Sequence, residues 1–206
     1  LPLTELPEER MQFTLGMYGE GDFFVMKGVV EEFFEKAGLH KTASYDPQAG
    51  KPFLHPGRQA NIIYDGEVLG YLGEIHPAVA DKYGIGEKAY VAVLDIPRVV
   101  EYASFDRKFE GIAKFPAVTR DISMMVSKDI LAGQIEAMIL QRGGKHLESL
   151  NLFDIYEGEQ VKKGYKSMAY SLVFRAKDKT MTEDEITSAM KKVYNGLESM
   201  GIELRQ

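Results

Sequence analysis

Cysteine is absent from the 206 residues, and so is tryptophan. Without cysteine there is no disulfide framework, no thiolate-ligated zinc and no cysteine nucleophile, which fits a reducing compartment. No apolar run reaches the roughly 18 residues that a membrane helix needs, and no charged leader precedes a short apolar segment. The expectation is a soluble, cytoplasmic chain. A nucleotide-cradling glycine loop is missing too. "GEGD" (19–22) lacks the Lys-Ser or Lys-Thr of a P-loop and the spacing of a dinucleotide fingerprint. There is no internal repeat and no low-complexity tract. Histidine is scarce: His40 follows a helix stop, His55 and His76 each precede proline, and His146 follows Gly143-Gly144. None pairs with another histidine or an acid at metal-ligand spacing on a helix, so surface or turn roles are expected for all four. The chain opens on Leu1 rather than methionine, which reads as a piece cut from something longer.

What is present is enough apolar content, 45%, to build real cores in one large domain or two small ones. The net charge of -6 argues against a generally basic nucleic-acid binder. It is unevenly spread. Residues 1–110 carry 11 Lys and Arg against 18 Asp and Glu, whereas residues 111–206 carry 14 against 13. The second part is therefore neutral and has room for local basic patches.

Patterning predicts an exposed lead and then a strand over 12–18. A helix follows over 26–38, with Val29, Val30, Phe33, Phe34 and Ala37 as its stripe and Gly38 as its stop. A hairpin over 59–75 turns at Asp65-Gly66, then come a short helix near 76–85 and a strand over 88–96. Residues 98–114 are charged and aperiodic and read as a connector. Beyond it the spacing predicts a strand over 121–127 and a helix over about 129–141 with Ile130, Ile135, Met138 and Ile139 inward. Strands over "LESLNLFDIYEG" and "GYKSMAYSLVFRA" come next. A helix opens on a Thr182/Glu185 capping box with Ile186, Met190, Val193 and Leu197 on one face, and "IELR" closes as a short strand. The order β-α-β-β-α-β is the split βαβ arrangement, a four-stranded antiparallel sheet under two helices.

Four places could carry chemistry. In "HPGRQA" (55–60), Pro56-Gly57 predicts a turn feeding Arg58 into a strand. Its guanidinium could fork onto a carboxylate or phosphate, or tie the turn to an acid of its own domain, the commoner use. Arg120-Asp121 stands at the mouth of an apolar strand, with phosphate contact and an internal salt bridge both open. In "LFDIYEG" (152–158), if Phe153 and Ile155 face the helices, strand period puts Leu152, Asp154 and Tyr156 on the open face. A solvent-facing tyrosine beside an aspartate can stack a nucleobase and accept a base N–H, or can merely cover the sheet. Lys162, Lys163 and Lys166 cluster in the following turn, with Arg175 and Lys177 near the end of the next strand. They are a solvated surface or a modest phosphate-backbone contact.

"FPAVTRDISMMVS", "LFDIYEG", "KKGYKSMAYSLVFRA", "KTMTEDEI" and "IELR" together resemble the ferredoxin-like anticodon-binding domain that ends the beta subunit of bacterial phenylalanyl-tRNA synthetases. "FFVMKGVVEEFF", "FLHPGRQANI" and "LGYLGEIHP" are similar to the catalytic-like domain before it. The resemblance implies an α+β chain: a truncated antiparallel class II synthetase-like domain over 1–100, a linker over 101–114 and a ferredoxin-like βαββαβ domain over 115–206. It further implies an α2β2 ligase joining phenylalanine to tRNA(Phe) with ATP and Mg2+. Catalysis then lies in the alpha subunit, and no cofactor or metal is bound by these residues. Carried over residue by residue, Tyr156 is the ring that stacks on the first anticodon base, Asp154 its polar neighbour and Arg120 a weaker third contact. Lys162, Lys163, Lys166 and Arg175 are expected along the RNA backbone. The rival expectation is a protein-interaction or dimerisation module using the open sheet face without RNA. The chain departs from the resemblance before "DFFVMKG", where a longer linker with an aromatic residue such as tryptophan is usual.

Overall fold

The computed structural model describes residues 9–106, 109, 111–159 and 161–205, so most of the exposed lead expected at the start lies outside the described residues. The chain divides into two compact units, Leu1–Phe109 and Glu110–Gln206.

The first unit is an antiparallel sheet in the order β1-β5-β4-β3-β2, made of Gln12–Tyr18 (β1), Ser44–Asp46 (β2), Leu54–Tyr64 (β3), Glu67–Ile75 (β4) and Ala89–Asp95 (β5). Helix α1, Phe23–Lys36, buries Met26, Val30 and Phe34 at i, i+4 and i+8, in one core with Ile62, Leu72, Tyr90 and Leu94. It starts three residues earlier than its apolar stripe suggests, because Asp22 caps it by accepting the Val25 N–H at 2.8 Å. Gly38 ends it with φ +78, and a Cβ there would stand 1.6 Å from the Ser104 carbonyl oxygen. Only glycine meets both demands. The expected hairpin turn is present: Asp65 and Gly66 have φ of 50 and 87, the paired positive values of a tight primed turn.

Two readings of this unit change. Pro56-Gly57 does not break the chain into a turn; both residues lie inside β3, at a register shift between Leu54 and Gln59 that absorbs the proline. Residues 96–102, partly assigned to the connector, form helix α3 after the short α2, Pro77–Lys82. Asp95 caps α3, and Val99 is buried in the core. With only Val99 fully buried and Tyr102 partly so, a seven-residue helix leaves little periodic signal.

The second unit has Val118–Ser127 (β6), Ala132–Gly143 (α4), Leu147–Tyr156 (β7), Tyr165–Phe174 (β8), Glu183–Ser199 (α5) and Glu203–Arg205 (β9). Its sheet runs β7-β8-β6-β9, antiparallel throughout. This is the ferredoxin-like arrangement. In α5, Ile186, Met190, Val193 and Leu197 are all buried, each worth about 1.5–3 kcal/mol of apolar transfer. The capping box forms in both directions: the Glu185 N–H donates to Thr182 Oγ1 at 3.4 Å, and the Thr182 N–H to Glu185 Oε2 at 3.0 Å. Helix α4 begins at Ala132, so Ile130 sits in the turn before it and, like Met138, is only partly buried. Strand β6 begins at Val118, which places Arg120-Asp121 within the strand rather than at its mouth.

Candidate nucleic-acid interface

Cross-strand register assigns each residue of the second sheet to a face. Ile122 pairs with Tyr170 and Met124 with Met168, and all four are buried beneath the helices. Their neighbours in sequence therefore point away: Asp121, Ser123 and Met125 on β6, and Tyr165, Ser167, Ala169 and Ser171 on β8. On β7, Asn151 pairs with Ser171, Asp154 with Ala169 and Tyr156 with Ser167, and on β9 Arg205 pairs with Ser123. The helix-free face thus has a floor of small residues. Tyr156 and Asp154 stand at one side of it and Arg205 at the other. Arg205 reaches across β6, with Nη1 3.4 Å from Ser167 Oγ.

Tyr156 is 44% exposed on this face. Its ring lies along the strand, with the hydroxyl end over Gly158, where a Cβ would stand 2.2 Å from the hydroxyl oxygen. With 44% of its surface exposed, the side chain is open to a planar partner. Asp154 is exposed on the same strand and the same face.

The route by which Tyr156 reaches this face differs from the simple alternation. Leu150 and Leu152 pack into the core, whereas Phe153 and Ile155 are 54% and 51% exposed. A register shift between Leu152 and Asp154 inserts Phe153 as an extra residue in the edge strand. Leu152 is therefore on the helix side, not the open face, and Phe153 does not enter the core. Tyr156 and Asp154 keep their outward positions because both follow the bulge.

Three residues expected near this face are elsewhere. Arg120 pairs with Leu172, on the helix side, and its Nη2 contacts both carboxylate oxygens of Glu183 at 2.7 Å, in the first turn of α5. It is the internal salt bridge, not a neighbour of Tyr156. Arg175 lies beyond Phe174, at the far end of β8 from Tyr156, roughly 25–30 Å along the strand. There its Nε donates to Glu148 Oε2 at 2.9 Å. Lys162 and Lys163 are exposed at the Tyr156 end, but Lys166 pairs with Val126 on the helix side. Lys128 at the same end is tied to Glu157. Tyr165, Ser167 and Arg205 complete the face and were missed. The alternation of "YKSMAYSLVF" separates Tyr165 and Ser167 from the apolar residues, so that signal was available; the position of Arg205 needed the strand order.

In the first unit Arg58 has the internal role. Its Nε and Nη2 lie 2.5 and 2.9 Å from the Glu74 carboxylate, whose side chain is 4% exposed, and the Tyr90 hydroxyl donates to the same carboxylate at 3.0 Å. Burial pushes the Glu74 carboxyl upward, but the Arg58 fork and the Tyr90 hydroxyl outweigh it and hold the group below its usual range. The guanidinium is thus already occupied. His55 braces the irregular start of β3 and His76 caps α2: each Nδ1 accepts a backbone N–H two residues on, from Gly57 and Ala78, both at 3.1 Å.

Two family models match the chain. Residues 113–205 match the ferredoxin-fold anticodon binding domain, and residues 2–96 match the phenylalanyl tRNA synthetase beta chain CLM domain. The chain belongs to the phenylalanyl-tRNA synthetase beta chain family. Among curated relatives of that family, the Phenylalanine--tRNA ligase beta subunit of Clostridium acetobutylicum is 46% identical over 202 residues, 98% of this chain and 25% of that protein. That of Clostridium tetani is 41% identical over 97% of this chain and 25% of the relative, and that of Bacillus subtilis 38% over 92% and 23%. The chain therefore spans about a quarter of the length of these beta subunits. Among the described residues no helix is long and apolar enough to cross a membrane.

Proposed function

We propose that residues 111–206 read the anticodon of tRNA(Phe) through the helix-free sheet face, within a phenylalanine–tRNA ligase whose beta subunit contains this chain. The observation that carries this reading is a half-exposed tyrosine, Tyr156, at the edge of a floor of small residues, with Asp154 on its own strand and Arg205 on the opposite edge. A base stacked on the ring gains about 1–3 kcal/mol. The carboxylate accepts a base N–H, and the guanidinium can donate to a purine edge or a phosphate. Lys162 and Lys163, exposed at the same end, supply a modest phosphate contact. Arg120, Lys166 and Arg175 are set aside as RNA contacts, because their side chains are committed elsewhere or face the helices.

In this reading the first unit serves assembly with an alpha subunit in an α2β2 enzyme, and the ATP- and Mg2+-dependent joining of phenylalanine to tRNA occurs in that subunit. Arg58, the guanidinium that could have gripped an anionic substrate, is held by Glu74. These residues supply recognition and scaffolding.

The test is binding to an anticodon stem-loop carrying GAA, beside a loop with the first base changed. Tyr156→Ala should weaken binding of the GAA loop by about tenfold or more and erase the preference for its first base. Equal, salt-sensitive binding of both loops by both proteins would leave only the lysines holding RNA. A face that binds no loop but closes a dimer, seen by sedimentation, would favour the interaction module.

A further inference from the structure

We infer that Tyr165, with Lys162 held over its ring, is a second nucleotide platform beside Tyr156 and takes the base next to the one stacked there. The inference rests on the anticodon reading above and adds a subsite to it.

Strand pairing places the ring. Tyr165 pairs with Ser127 on β6 and precedes Ser167 by two residues, so both point to the helix-free face. Ser167 is the partner of Tyr156 across β7 and β8. Tyr165 is thus the diagonal neighbour of Tyr156, a relation that sets the two residues about 7–8 Å apart. The Tyr156 ring narrows this gap, because its hydroxyl end lies over Gly158, the position that would face Tyr165 if the register ran two steps further. Aromatic residues on adjacent strands of a four-stranded sheet form the arrangement on which single-stranded RNA lays two successive bases.

The surroundings of Tyr165 suit this use. Its side chain is half-buried, which leaves part of the ring accessible. The Lys162 ammonium sits 4.9 Å from the ring centroid, over a π face. That contact is weak at an exposed site and exchangeable. A base arriving on the ring displaces the ammonium, and a phosphate arriving with the base gives it a new partner within reach. Lys162 thereby guards the platform in the free protein and clamps the backbone in the complex. The competing use of the pair is a clasp that only fixes the loop between β7 and β8.

The experiment uses the full chain and a GAA anticodon stem-loop with 2-aminopurine at the second or third anticodon position in turn, and compares Tyr165→Leu, Tyr165→Trp, Lys162→Gln and Tyr156→Leu. Tyr165→Leu should lose about tenfold in affinity with an unchanged melting temperature, and the quenching of one reporter should disappear while the other is kept. Tyr165→Trp, which retains a stacking face, should bind as the parent does. Lys162→Gln should lower the salt slope by about one. Parental binding by Tyr165→Leu, alongside a loss in Tyr156→Leu, overturns the second platform and leaves the anticodon reading intact. A loss shared by Leu and Trp at position 165, with both reporters equally affected, makes the pair a clasp and also overturns it. No effect of either tyrosine defeats the anticodon reading and the platform together.

Discussion

A tyrosine can stack a base only if its ring is held still and one face is free, and at Tyr156 the residue two places on decides this. Gly158 gives the hydroxyl end of the ring somewhere to lie. Gly158→Val should push the ring off the sheet, because the new Cβ would occupy the space 2.2 Å from the hydroxyl oxygen. The flexible ring moves more readily than the backbone. The expected outcome is several-fold weaker binding of the GAA stem-loop with the melting temperature changed by no more than a few degrees, read by fluorescence anisotropy and by circular dichroism. A parental affinity would mean that the ring's resting position is irrelevant to binding. The arginines teach the complementary lesson. Arg58 and Arg120 both look in sequence like anion grips, and both are forked onto carboxylates of their own unit, Glu74 and Glu183. A guanidinium beside a strand has five donors to satisfy, and the nearest carboxylate wins.

At the scale of elements, α5 carries the electrostatics of the second unit. Lys179 and the Thr182 backbone N–H hold the Glu185 carboxyl well below its usual range, to about 2. A carboxyl whose folded value is depressed contributes stability that is complete above its unfolded value, near 4.5, and is lost as pH falls toward 2. The acid limb of the stability curve should therefore include this cap. Glu185→Gln should lower the melting temperature at pH 7, and the gap from the parent should close between about pH 4.5 and pH 2, followed by thermal melts across that range. A gap independent of pH would show that the amide's lost packing, not the charge, is responsible. Thr182→Ala removes the other half of the box at a cost of about 1 kcal/mol, and its effect should be less pH-dependent than that of Glu185→Gln.

For the molecule as a whole, the described residues form two hydrophobic core clusters that do not share a member. One core draws on residues from Met26 to Val99, the other on residues from Ile122 to Ile202. Each core is complete without the other, so residues 111–206 produced alone should unfold cooperatively, in a single transition coincident by circular dichroism and tyrosine fluorescence. Non-coincident curves, or a melt missing near-ultraviolet signal, would show that this unit needs the rest of the chain. The periodic elements were legible in the sequence for the same reason that these cores are self-contained. The α5 stripe, the Asp65-Gly66 turn, the Thr182/Glu185 box and the βαββαβ order are all local patterns, written within a few residues of where they act. The outward positions of Tyr156 and Asp154 were legible too, but by a wrong route. The alternation set Phe153 and Ile155 toward the helices and Leu152 outward; the register shift opposite Tyr170-Ala169 instead makes Phe153 the extra residue and turns Leu152 inward, while Ile155, opposite Met168, keeps the helix side although it is 51% exposed. A bulge is a property of two strands paired together, so one strand's sequence does not contain it. The same holds for the partners of Arg58 and Arg120, for the distance of Arg175 from the lysines, and for Arg205, which enters the face because β9 lies beside β6. Local propensity and hydrophobic period determined which segments became helices and strands; strand order and register, which are contacts between distant residues, decided which side chains share a face.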